Sequence, residues 1–84
     1  MEPDDLKYKR LRWRSRRGML ELDLLLIPFL EEVYLDLPEI DQTAYELLLE
    51  QDDPDLLAWF SQKAIPDDPA LARLVTMILR RVQP

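Results

Sequence analysis

The stretch Arg16-Arg17-Gly18-Met19-Leu20-Glu21-Leu22-Asp23-Leu24-Leu25-Leu26 decides how the rest of the chain is read. It holds the only glycine among 84 residues, and the sequence changes character on either side of it. Upstream lies a dense cationic run of Lys7, Lys9, Arg10, Arg12, Arg14, Arg16 and Arg17. Downstream, Gly18 to Gln62 contains no Lys or Arg, while Asp and Glu recur throughout. Residues 1–17 carry seven basic and three acidic side chains, net +4; residues 18–84 carry four basic and fourteen acidic, net −10. Gly18 therefore marks a backbone break and a change of electrostatic sign together. Glycine enters the left-handed region at little steric cost, which suits the C′ position that ends a helix. Close approach of another backbone is the alternative use of a missing side chain.

Working outward, five helical segments emerge. The first begins at Asp4 or Asp5, either of which can cap free N–H groups, and carries Leu6, Leu11 and Trp13 as its apolar content. Its cations crowd toward the C-terminal end, where the helix dipole favours them. The second spans about Met19 to Leu35. Leu22, Leu25, Leu26, Phe29, Leu30 and Val33 fall at i, i+3, i+4, i+7, i+8 and i+11, the spacing of one helix face. Glu21 and Asp23 sit in its first turns, beside the positive helix end. Pro28 removes one internal N–H and crowds the Leu24 carbonyl, so a kink is expected there.

Leu37-Pro38-Glu39 opens a third helix with Ala44, Tyr45, Leu48 and Leu49 on its apolar face. Asp52-Asp53-Pro54-Asp55 then reads as a stop and a start: Asp53 as N-cap, Pro54 at N1, Asp55 in the first turn. Leu56, Leu57, Trp59 and Phe60 fill this short fourth helix. The same grammar at Asp67-Asp68-Pro69-Ala70 opens a fifth, with Leu71, Leu74, Val75, Ile78 and Val82 at helical spacing. No stretch reads as a strand. The expected fold is all-α: a small compact bundle of five helices, one domain over residues 1–84, since chains divide at about 100–200 residues per domain.

Composition narrows the chemistry. With no Cys and no His, Cys/His zinc sites, disulfides, thiol catalysis and imidazole acid–base work are excluded. Ser15, Thr43, Ser61 and Thr76 have no histidine to activate them, and no glycine-rich phosphate loop exists. An enzyme is not expected. Glu50, Asp52, Asp53 and Asp55 lack the glycine and alternating ligands of a calcium loop, so no metal site is assigned to them. The longest apolar run, Leu24 to Leu30, is far short of the ~20 residues a membrane span needs. The acidic start Met1-Glu2-Pro3-Asp4-Asp5 lacks the layout of a secretion signal, and a soluble cytoplasmic protein is expected.

The basic run beside Tyr8 and Trp13 is either a solvated helix face or an interface, since arginine next to an exposed aromatic is a frequent anchor. Trp13 packed into the core is an equal alternative. Nucleic acid is disfavoured, because its binders are usually basic overall and this chain carries a net charge of −6. Opposite charges flanking Gly18 suit a protein partner of mixed charge.

The quoted stretch resembles the hallmark of the SdhE family of FAD assembly factors, whose signature Arg-Gly-x-x-Glu is met by Arg17, Gly18 and Glu21. The likeness continues through Phe29, Tyr34 and Leu48-Leu49-Glu50-Gln51-Asp52-Asp53-Pro54-Asp55-Leu56 followed by Trp59, covering roughly residues 10–60 and loosening beyond Lys63. The resemblance implies a five-helix bundle that binds the flavoprotein subunit of succinate dehydrogenase, and in some members of fumarate reductase. It implies that the factor promotes covalent FAD attachment to a histidine of that subunit, with no catalytic residue, stably bound cofactor or metal of its own. Partner-binding is expected at Arg16, Arg17, Gly18, Met19, Glu21 and Asp23, on a monomer that neither enters membranes nor binds nucleic acid. Arg17 would offer its guanidinium fork to the partner, Glu21 a carboxylate, and Gly18 close access to backbone. The alternative is an antitoxin-like regulator that neutralises a partner toxin.

Overall fold

The computed structural model describes residues 3–82, with side chains from Leu6 onward. Five α-helices follow one another: α1 (Pro3–Ser15), α2 (Leu20–Glu32), α3 (Glu39–Leu49), α4 (Asp53–Phe60) and α5 (Pro69–Val82). A 3-10 turn, Tyr34–Asp36, links α2 to α3. There is no strand among the described residues, so the all-α expectation holds. The expected capping by Asp4 or Asp5 lies outside the described side chains.

The apolar stripe of α2 builds the centre. Leu22, Leu26, Phe29 and Leu30 are fully buried, while α1, α4 and α5 all pack on this helix. Burying each such side chain is worth about 1.5–3 kcal/mol. One cluster joins them to Leu11, Tyr34, Ala44, Tyr45, Leu48, Leu49, Leu56, Phe60, Leu71, Leu74, Val75 and Ile78, so every helix contributes. Tyr45 sits between Phe29 and Tyr34, with ring centroids 5.8 and 5.5 Å away. Val82, read from spacing as part of the α5 face, is instead 54% exposed.

Boundaries differ from the sequence reading in instructive ways. Helix α2 continues through Pro28 but ends at Glu32, short of Leu35. Val33 leaves helical geometry at φ −125°, and Leu37 must be extended ahead of Pro38 (φ −72°, ψ 146°). The chain spends the intervening residues on a 3-10 turn. Pro38 is itself the N-cap of α3. The two Asp-Asp-Pro starts also diverge. Asp68 caps α5, its carboxylate accepting the Ala70 N–H at 2.8 Å. Asp52, not Asp53, is the N-cap of α4, and it makes no side-chain capping bond. The Asp53 carboxylate faces elsewhere.

Several ion pairs tie the helices on their outer faces. Lys7 reaches Glu46 (3.2 Å), Arg12 reaches Glu31 (3.4 Å) and Arg81 reaches Glu32 (3.0 Å). Exposed pairs of this kind contribute about 0–1 kcal/mol each. Asp41 is buried in the first turn of α3, favoured there by the positive helix end, with Arg73 3.3 Å from its Oδ2.

Candidate functional site: the Gly18 loop

Helix α1 stops at Ser15, and its last turn is anchored from inside. Ser15 is fully buried; its hydroxyl donates to the Leu11 carbonyl at 2.8 Å and lies 2.6 Å from the Tyr45 hydroxyl. Tyr45 also reaches the Leu26 carbonyl at 3.3 Å. Burial pushes the Tyr45 hydroxyl well above the ordinary tyrosine range, against the lowering effect of its bond to Ser15. Three elements are thus pinned beneath the loop.

The loop itself is Arg16 to Met19. Gly18 has φ +78°, and a Cβ built on it would meet nothing within 4 Å. Two residues separate it from the end of α1, so it is not the C′ residue; it serves the turn between the helices. Open space over a bare, exposed backbone is what a closely approaching partner needs.

Each expected site residue has a definite place. Arg16 is exposed; its backbone N–H donates to the Trp13 carbonyl at 3.3 Å, while its side chain has no hydrogen-bond or ion-pair partner among the described residues. Glu21, exposed in the first turn of α2, is likewise unpaired among them. Asp23 is half-buried, and its Oδ1 accepts the backbone N–H of Arg17 at 2.7 Å, closing the loop onto α2. Met19 is the N-cap of α2 and packs partly against the core. Trp13, Arg16, Gly18 and Asp23 line an open depression of about 370 Å³.

Arg17 departs from its expected role. Its Nε donates to Asp53 Oδ1 at 2.7 Å, Nη1 to the Leu49 carbonyl at 2.8 Å, and Nη2 to the Gln51 carbonyl at 2.7 Å. Nη1 also reaches the Arg14 carbonyl at 3.3 Å. Only 15% of the side chain is exposed. The fork expected to meet a partner is spent inside the chain, holding the loop to the turn between α3 and α4.

Two apolar features flank the loop. Trp13 is 77% exposed, which settles the open choice between core and surface in favour of surface. Leu20 and Leu24, one turn apart on α2, are 69% and 60% exposed. Apolar residues four apart normally face inward; here the core-facing stripe Leu22, Leu26, Phe29 and Leu30 occupies the opposite side. The signal was available, since Leu20 and Leu24 lie off that stripe by helical angle. Among the described residues no group of three or more acidic side chains could hold a metal ion. No helix is long and apolar enough to cross a membrane.

Fold and surface together define a small helical protein that offers an exposed, charge-flanked loop with apolar side chains beside it, built on a hydrogen-bonded junction of three helices. Within that class its family is clear. A family described as flavinator of succinate dehydrogenase matches residues 9–82, and the chain belongs to it. The chain is 54% identical over 81 residues, 96% of each chain, to a Pseudomonas aeruginosa protein named FAD assembly factor SdhE. Proteins of the same name from Pseudomonas savastanoi pv. phaseolicola and Shewanella oneidensis are 52% identical over 81 residues and 48% identical over 79. These matches run through α5, further than the residues 10–60 that carried the resemblance in the sequence.

Proposed function

We propose that this protein is a FAD assembly factor that docks on the flavoprotein subunit of succinate dehydrogenase through the Gly18 loop and promotes covalent attachment of FAD to that subunit. The observation that carries it is the 54% identity, across 96% of both chains, to a protein named FAD assembly factor SdhE. Fumarate reductase, whose flavoprotein performs related chemistry, is a second client. FAD is cargo for the client. The protein acts without a catalytic residue of its own, as a monomer, by holding the flavoprotein in a conformation in which attachment proceeds.

The loop offers matching chemistry. Arg16 and Glu21, both exposed and unpaired among the described residues, present opposite charges that select orientation more than they add affinity. Gly18 admits a partner to the backbone. Trp13, Leu20 and Leu24 supply the apolar contact area from which interface energy usually comes. Arg17 and Asp23 keep the loop in shape.

Deleting the protein should reduce covalent flavin on the dehydrogenase subunit, read as in-gel flavin fluorescence after denaturation. Undiminished fluorescence in the deletion strain would remove the proposal.

A further inference from the structure

The α3–α4 turn is built as a receptor for one guanidinium. Leu49 ends α3, and its carbonyl is one of those a helix terminus leaves without an internal partner. Gln51 adds a second carbonyl, and Asp53, in the first turn of α4, adds a carboxylate. A cation is favoured at the C-terminus of one helix and an anion at the N-terminus of the next, so the junction prefers positive charge at the carbonyls and negative charge at Asp53. Arg17 meets all three groups within 2.8 Å. Its planar fork engages several acceptors at once; the single ammonium of lysine cannot span them in the same geometry.

The neighbouring bonds fix what this clasp controls. The Arg17 side chain also touches the Arg14 carbonyl of α1, and its backbone N–H is held by Asp23 of α2. Arg17 is therefore tied to α1, α2 and the α3–α4 turn at once, and the next residue is Gly18. The glycine has no side chain to lock the turn, and a Cβ built on it would meet nothing within 4 Å. Its conformation must be held from Arg17.

We infer that Asp53, 36 positions from Arg17, is a positioning residue for the docking surface: it holds the Arg17 guanidinium and, through it, fixes the Gly18 loop in the shape the partner receives. Asp53 need not touch the partner. This rests on the proposed docking of the flavoprotein at Gly18 and assigns the loop's support to a distant acidic residue.

The test measures two quantities on the purified chain. The first is the Gly18 amide resonance, which the lone glycine makes easy to assign, with its order parameter. The second is affinity for the flavoprotein subunit of succinate dehydrogenase. Asp53→Asn and Asp53→Ala should shift the Gly18 resonance and lower its order parameter while the helical circular dichroism is kept. Affinity should fall about tenfold, the size of one lost charge-assisted contact. Arg17→Lys should do the same despite keeping its charge. Asp53→Ala should add less than about twofold in an Arg17→Ala background, because both remove one device. Asp52→Ala, which removes an exposed neighbouring carboxylate, should leave both readouts unchanged. An unmoved Gly18 resonance in Asp53→Ala overturns the inference, as do losses of affinity that multiply in the double variant. Should the wild-type chain itself fail to bind the flavoprotein, the docking proposal falls. The resonance then decides the clasp alone.

Discussion

The Ser15 and Tyr45 hydroxyls lie 2.6 Å apart in the interior, joining the last residue of α1 to the middle of α3 directly beneath the Gly18 loop. Ser15 retains its bond to Leu11 without Tyr45, whereas Tyr45 without Ser15 keeps only the longer bond to Leu26. A buried hydroxyl left poorly paired costs more than one hydrogen bond is worth. Ser15→Ala should therefore destabilise the fold by about 1–2 kcal/mol and Tyr45→Phe by about 1 kcal/mol, the double variant by less than their sum. Urea unfolding of the three variants checks this; strict additivity would mean that the two hydroxyls are not coupled.

Gly18 separates folding from docking. Since a Cβ there meets no atom, substitution costs only the backbone strain of a positive φ, about 1–2 kcal/mol. In a domain of this size that lowers Tm by roughly 4–8 °C per kcal/mol. Gly18→Ala and Gly18→Arg should thus unfold at similar, modestly reduced temperatures. Only the arginine should abolish flavin attachment in cells. A folded Gly18→Arg protein with full activity would take Gly18 out of the docking surface.

Trp13 and Leu24 should show the converse. Both side chains are more than half exposed, so Trp13→Ala and Leu24→Ala should change stability by less than about 0.5 kcal/mol. As apolar anchors beside the loop they should each weaken flavoprotein binding by at least about tenfold, more than 1 kcal/mol. Calorimetric titration of the flavoprotein subunit reads this directly, and unaltered affinity in both variants would restrict the surface to the polar loop.

The buried tyrosines set an alkaline limit. Burial, the Glu46 charge and the Tyr34 hydrogen bond to Glu46 push the Tyr34 hydroxyl up to about 12, and burial drives Tyr45 further in the same direction. Both groups bind their protons more tightly folded than unfolded, where tyrosine titrates near 10. Their contribution is fully present below about pH 10 and is lost as pH rises from there through about 12. Urea unfolding at stepped alkaline pH should show stability falling over that window. The fall should be shallower in Tyr45→Phe; an unchanged slope would mean that Tyr45 titrates normally.

Local grammar made much of this legible in the sequence. The stripe from Leu22 to Leu30 predicted the central helix, and Asp68-Pro69 predicted the start and cap of α5. What escaped was long-range. The same Asp-Pro pattern at Asp53-Pro54 suggests a cap, yet its carboxylate is taken by an arginine 36 residues away, and no local rule weighs that competition. For the same reason Arg17 was expected to face a partner. Its fork does recognise a carboxylate and three carbonyls, but they are its own chain's. Helix α2 ends at Glu32, where Val33 leaves helical geometry at φ −125°, although the apolar spacing runs on through Val33 and carries no local stop signal there. Trp13 could not be placed by composition, since among the described side chains α1 buries only Leu11 and Ser15, packs Tyr8 partly against the core and leaves the others to solvent.

The central claim is that the flavoprotein sits on the Gly18 loop. Hydrogen–deuterium exchange of the purified chain, alone and mixed with the flavoprotein subunit of succinate dehydrogenase, tests it most directly. New protection should appear over residues 13–24, with α5 unchanged. Protection confined to α5 or to the α4–α5 connection, with residues 13–24 exchanging as in the free chain, would contradict the account.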